Sequence, residues 1–385
     1  MRKILPVILL ILTAAGGELA DVAKYRMDFV GARTRLFREG RELDFAACLR
    51  EQLRLHPAMR PTDVVKLCAQ AARGPEHLLG DDTTRAEAAF HREFASVPAS
   101  DAPLFEVIGS DFCRIDLGAW KRSGLPEAWL WRMFRMSAQK RSDGDALFRE
   151  YLQTAETVLT GEARTAFREY LAGYRGGAVH HSPEYHAAYR PAYRVVSIRL
   201  LATFPVLFRA AALPERPVRV IVIDGRAASG KTTLAGNLGR ILAAPVIHMD
   251  DFFLPLALRK PERFAEPGGN VHYERFMAEV LPHLRSGSAF SYRVFDCSVK
   301  DFRGERTVAA APWRIVEGAY GLHPKFGEYA DLKIFYDISP EEQMRRIRRR
   351  NGEAAAKIFA ERWIPFEERY IRAAKVRERA DLILQ

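Results

Sequence analysis

The segment Gly225-Arg-Ala-Ala-Ser-Gly230-Lys231-Thr232 has the form GxxxxGK[ST], and it fixes more about this chain than any other feature. Before it runs Val218-Arg-Val-Ile-Val-Ile-Asp224, an apolar, β-branched stretch of the kind that fills a buried parallel strand. After it comes a helical pattern from Lys231 to Leu242. A glycine-rich turn between such a strand and such a helix lets successive backbone N–H groups wrap phosphate oxygens, with the positive end of the helix behind them. Gly225, Ala227, Ala228, Ser229, Gly230, Lys231, Thr232 and Thr233 are therefore the expected nucleotide-binding residues. Lys231 is placed to reach the β- and γ-phosphates of ATP, and the Thr232 hydroxyl to complete the coordination of Mg²⁺. Further strands are expected at Pro245–His248, Arg314–Val316 and Leu332–Tyr336, with helices at Tyr273–Leu284 and Pro340–Arg350. Strands alternating with helices imply an α/β domain, a parallel sheet with helices on both faces.

That pattern begins only after Ala210-Ala-Ala-Leu-Pro-Glu-Arg-Pro217, whose two prolines mark a boundary. The chain's 385 residues suit two domains. We divide them as 1–27, an apolar leader or N-terminal helix; 28–212, an all-α domain; and 213–385, the α/β domain. Helices in the middle segment are expected within Pro61–Gly74, Pro126–Arg141, Asp145–Leu159 and Glu162–Tyr174. At the start, Arg2 and Lys3 precede an apolar run from Ile4 to Ala15, the outline of a signal peptide and shorter than the about 20 residues that span a bilayer. A buried helix, or a true start at Met27, is the reading preferred over export, since the chemistry of the glycine-rich loop needs intracellular nucleoside triphosphate. Cys48, Cys68, Cys113 and Cys297 show no CxxC pairing, which points to a reducing compartment. With no spanning segment and a need for nucleoside triphosphate, the expected location is cytoplasmic and no membrane partner is expected.

Two further groups extend the phosphate chemistry. At the end of the second strand, His248-Met-Asp250-Asp251-Phe252-Phe253 places an acidic pair where parallel strands open onto one crevice. Asp250 is the expected base that orients and deprotonates an acceptor hydroxyl, with Asp251 in a supporting or metal-linked role, the two being open to exchange. Glu317, in Val316-Glu317-Gly318, ends another strand at the same crevice and can hold Mg²⁺ or orient Asp250. Downstream, Arg345, Arg346, Arg348, Arg349 and Arg350 gather on one helix, from which Arg346 and Arg349 are assigned to phosphoryl charge. Asp337 begins the turn into that helix and reads as a structural cap.

Together with Trp363-Ile-Pro365, these segments resemble the uridine kinase and nicotinamide riboside kinase group of P-loop kinases, over residues 215–385. The resemblance implies transfer of a phosphoryl group from ATP·Mg²⁺ to a hydroxyl of a nucleoside-like acceptor, with Asp250 acting on that hydroxyl and Glu317 helping to hold magnesium. It also implies substrate contacts from Asp251, Phe252, Glu274 in Asn270–Phe276, and Tyr292 in Tyr292–Asp296. Glu274 stands where a shorter aspartate is common. Cys297-Ser-Val-Lys300 lacks the histidine and arginine of uridine kinases, which leaves the base open.

The N-terminal half carries no comparable signature. His56, His77, His91, His180, His181 and His186 lack metal-ligand spacing, so hydrogen-bonded or exposed roles are expected. Tyr185, Tyr189, Arg190, Tyr193 and Arg194 read as a packing face more readily than a nucleic-acid site. The net charge of +11 suits polyanionic partners and is accounted for in part by the phosphate-handling arginines, so it supports nucleic acid only weakly. A different reading of the whole chain is a nucleotide-dependent regulator whose helical domain binds a protein or nucleic-acid partner.

Overall fold

The computed structural model describes Val22 and residues 24–30, 33–79 and 83–385. The apolar run Ile4–Ala15 lies outside the described residues. Contacts divide the chain into two compact units between Ala211 and Ala212. Among the described residues no helix is long and apolar enough to cross a membrane.

Helices dominate the first unit. Pro61–Arg73, Glu127–Ser137, Gly144–Val158 and Gly161–Gly173 fall where the 3.6-residue periodicity places them. The all-α reading needs one amendment, because two small antiparallel sheets join these helices. One contains β1 (Tyr25–Val30), β2 (Arg33–Arg38) and β3 (Arg41–Glu42). The other contains β4 (Phe105–Val107), β5 (Phe112–Asp116) and β6 (Tyr193–Ser197). β5 finds its partner β6 about eighty residues downstream, so no local pairing announces the second sheet, whereas β1 alternates as Tyr-Arg-Met-Asp-Phe and pairs locally with β2, a signal the all-α reading passed over. Between the second sheet and its helices lies a polar interior. Arg114 is buried and donates to Gln70, Gln52 and Tyr185. Asp63 accepts from Ser182 and pairs with His181, whose other ring nitrogen meets the Tyr193 hydroxyl at 2.6 Å. Burial lowers the His181 pKa to about 4, so the ring is neutral near pH 7. His56 and His91 pair with Glu106 and Glu127, while His180 and His186 are exposed. Tyr185 is buried and Arg194 pairs with Glu93, which makes this segment a packing face.

The second unit is built on a five-stranded parallel sheet of order β13-β12-β7-β11-β8. Its strands are β7 (Arg219–Gly225), β8 (Val246–His248), β11 (Trp313–Glu317), β12 (Leu332–Tyr336) and β13 (Leu382–Leu384). Alternation along β7 sends Val220 and Val222 into a core with Phe252, Phe276 and Tyr370. Ile221 and Ile223 are buried on the opposite face, where helix Lys231–Leu242 buries Leu234 and Leu238. An antiparallel hairpin, β9 (Phe290–Asp296) and β10 (Asp301–Val308), lies outside this sheet. Sequence periodicity did not signal it, because β10 is exposed along nearly all its length. Helix Pro340–Ile358 runs past the expected Arg350 and is broken at Gly352, where φ is 81°.

Candidate active site

The site forms at the carboxyl ends of β7, β8 and β11, which the parallel register brings level: Glu317 lies beside both Ile223 and His248. Gly225 leaves β7 at φ 141°, opposite Tyr336 of β12. A Cβ there would lie 2.2 Å from the Tyr336 carbonyl oxygen, so glycine is required by the neighbouring backbone. Gly230 caps the following helix at φ 113°, and Ala228 also takes a left-handed conformation at φ 59°. Lys231 is buried and donates to the carbonyl oxygens of Gly225 and Arg226, both at 2.7 Å, which arches its ammonium over the loop. Thr232 and Thr233 follow in the first turn of the helix.

Below the loop, Glu317 is buried and joins two groups. Its Oε2 accepts from the Thr232 hydroxyl at 3.3 Å, and its Oε1 meets His248 Nδ1 at 2.5 Å. Asp250 follows in the short turn Met249–Phe252 and reaches solvent. Its pKa is raised, first because surrounding protein displaces water and next because Glu317 is a like charge, against the pull of Lys231 and His248. Asp250, Glu317, Lys231 and His248 thus share one electrostatic field. Asp251 faces the other way. It is buried, accepts from the Tyr292 hydroxyl at 2.8 Å and lies 3.4 Å from Arg306, so the β9–β10 hairpin holds it.

This arrangement separates the other expected substrate residues. Phe252 is fully buried and stacks edge-on against Phe276, in the core. Tyr292 is buried behind Asp251, and burial pushes its hydroxyl pKa up. Both position the acidic turn from behind. Glu274 is half exposed, paired with Arg263 at 2.7 Å, and lines a cavity of about 350 Å³ with Leu254, Leu258, Lys260, Arg263 and His272. Removing the Tyr292 hydroxyl leaves a buried carboxylate short of one donor, so Tyr292→Phe is expected to cost about 1.5–3 kcal/mol, read by chemical denaturation. An unchanged midpoint means that Asp251 does not depend on the hairpin.

Of the two arginines assigned to phosphoryl charge, Arg346 reaches the loop and donates to the carbonyl oxygens of Ser229 at 2.9 Å and Ala228 at 3.3 Å. Arg349 is exposed on the same helix. Asp337 accepts from Arg226 and Arg377, and Ser339 rather than Asp337 caps the helix.

Several groups at the loop had no role assigned from sequence. Asp224 is buried and accepts from the backbone N–H groups of Gly225, Tyr320 and Leu322 and from the Tyr370 hydroxyl. Glu367 and Glu368, on helix Ile364–Ala373, hold the Ala227 amide and the Arg226 guanidinium. His248 was visible beside the acidic pair. Glu367 had no signal at all, lying 140 residues from its partner.

The sheet, the loop at the end of its central strand and the flanking helices give residues 219–385 the fold of a P-loop kinase. A cytidylate kinase from Pyrobaculum arsenaticum is 28% identical over 145 residues, which are 37% of this chain. The chain spans 66% of that curated relative's length, just under two thirds. Among solved structures, a protein described as a possible uridine kinase from Bacillus stearothermophilus has a TM-score of 0.38 at 21% identity, covering 49% of this chain and 97% of that one. D-glycerate 3-kinase from Cryptococcus neoformans var. grubii has a TM-score of 0.31 at 15% identity, covering 43% of this chain and 84% of that one. No protein-family model matches the chain. Each of these proteins is a kinase by its own description.

Proposed function

We propose that the protein is a small-molecule kinase that transfers the γ-phosphoryl group of ATP to a hydroxyl of a nucleoside-like acceptor. The observation that carries this reading is the convergence of Lys231, Thr232, Glu317 and Asp250 at the mouth of one parallel sheet. The loop suits a triphosphate: its glycines open the backbone, and the Lys231 ammonium lies over it. Thr232 and Glu317 would be the protein's share of the Mg²⁺ shell, with phosphate oxygens and water supplying the rest. Among the described residues no three His, Cys, Asp or Glu side chains form a metal cage, and an ion shared with the nucleotide needs none. Bound Mg²⁺ would neutralise charge on the β- and γ-phosphates.

The acceptor hydroxyl would lie against Asp250, which accepts its proton as the oxygen attacks phosphorus and the bond to the β-bridging oxygen breaks. Lys231 and Arg346 would neutralise the charge that develops on the transferred group, with Arg349 joining them only if its helix moves. His248 would keep Glu317 directed at Thr232. Asp251 and Phe252 would set the acidic turn, and Glu274 would contact the acceptor from its cavity. Location in the cytoplasm, with ATP and a soluble acceptor, follows from this reading.

The test is ADP release by residues 1–385 with ATP and Mg²⁺ across nucleosides, nicotinamide riboside, nucleoside monophosphates, glycerate and simple sugars. One acceptor should stimulate release, and Lys231→Ala should lower kcat/KM by about 100-fold or more through lost charge stabilisation. ATP binding without stimulation by any acceptor would favour the nucleotide-dependent regulator, and partner binding by the N-terminal unit would then be measured with and without ATP.

A further inference from the structure

Glu367 is an unusual neighbour for a phosphate loop. Its side chain is buried, and both oxygens accept from the Ala227 N–H, at 2.9 and 2.8 Å. One of them also accepts from Gln343 Nε2 at 3.1 Å. A carboxylate therefore holds a backbone donor of the very loop whose donors are built to meet phosphate.

The groups around it do not form an ion pair with it. Lys231 attracts it, but that ammonium donates to the Gly225 and Arg226 carbonyls. Asp224, at the end of β7, is a second buried carboxylate acting on it, and Tyr320 and Tyr370 face the same region. Arg226, the cation next to Ala227 in sequence, is engaged by Glu368 and Asp337. Gln343 is neutral. Burial is the largest influence, and it raises the Glu367 pKa to about 7.

Resting on the kinase reading above, we propose that Glu367 is a proton-linked positioning residue of the phosphate loop: it braces the Ala227 amide as a carboxylate and takes up a proton when a nucleoside triphosphate enters. The physical reason is charge. A triphosphate carries several negative charges, and in a site shielded from water it repels a buried anion a few ångströms away far more strongly than bulk solvent would allow. Protonation removes that repulsion while leaving one oxygen to accept from Ala227. Nucleotide binding and proton binding then favour each other, and affinity falls as pH rises through neutrality.

The experiment is isothermal titration of ATP·Mg²⁺ into full-length protein at pH 7.5, in two buffers of different ionisation enthalpy. The difference in heats counts protons directly. Wild-type protein is expected to take up to about three-quarters of a proton more than Glu367→Gln, the uncharged isostere. Between pH 6.5 and 8.5 the wild-type Kd should rise by up to about 25-fold relative to that of Glu367→Gln, whose comparison cancels the titration of ATP itself. Wild-type binding without proton uptake overturns the inference while leaving the kinase reading intact, and so does equal uptake by a folded Glu367→Gln. Absence of nucleotide binding at every pH overturns both. Absence of proton uptake by the wild type overturns the inference even if the variant does not fold.

Discussion

Asp250→Asn is expected to lower turnover by about 10³-fold while leaving ATP affinity and thermal stability close to those of the wild type. The amide keeps the size and shape of the carboxylate, and no hydrogen bond between described residues joins Asp250 to the Gly225–Thr232 loop, whose Lys231 it meets only through charge. On the proposed mechanism, what is lost is the proton acceptor beside the acceptor hydroxyl. The raised pKa of Asp250 adds a pH signature: kcat/KM of the wild type should fall on the acid side as the carboxylate protonates, at a higher pH than for an ordinary aspartate. The variant should lack that limb. Steady-state rates across pH 5–9, with calorimetric unfolding as the control for folding, decide it. Retained turnover in the folded variant would move the base to Asp251 or show that positioning alone suffices.

Gly225→Ala is expected to damage the second unit itself. The added methyl group would meet the Tyr336 carbonyl oxygen at 2.2 Å, its nitrogen at 2.7 Å and its carbonyl carbon at 2.8 Å, all of them backbone atoms paired in register with β7. No rotamer relieves such contacts. Either β12 moves away from the central strand or the turn abandons φ 141°. Both routes also disturb the Gly225 N–H donated to Asp224. A cost of about 3 kcal/mol or more is expected, comparable to the larger effects of backbone strain. The calorimetric transition should fall markedly and, if the kinase reading holds, lose the rise that ATP is expected to give the wild type. An unchanged transition would mean that the sheet yields at this point more easily than its spacing suggests.

Wherever short-range chemistry dictates the structure, the sequence was readable. β7, the helix Lys231–Leu242 and the strand Leu332–Tyr336 were legible because each is a continuous apolar or periodic run bounded by turn residues. The loop was legible because glycines, lysine and threonine have fixed offsets in it. The acidic turn was legible only in outline: Asp250 and Asp251 are adjacent in sequence, and nothing local said that one would face solvent while Tyr292 and Arg306 would hold the other. Phe252 looked like a substrate contact because of its position beside them, whereas its burial against Phe276 depends on a helix that starts twenty-one residues later. Strands β4, β5 and β6 of the N-terminal unit were hidden by brevity and by distant pairing, and its Asp63–His181–Tyr193 chain by sequence separations above one hundred residues for Asp63.

The brace from helix Ile364–Ala373 bears on the order in which the molecule assembles. Eight neighbouring residues supply the phosphate loop, yet Ala227 is held by a side chain 140 residues downstream and Asp224 by one 146 residues downstream. Closing so long a stretch of chain costs conformational entropy before any contact repays it, and contacts between distant residues form late. The motif most readable in the sequence is thus not complete within itself: its working shape waits on contacts from the far end of the unit, as the pairing of β7 with β12 also does.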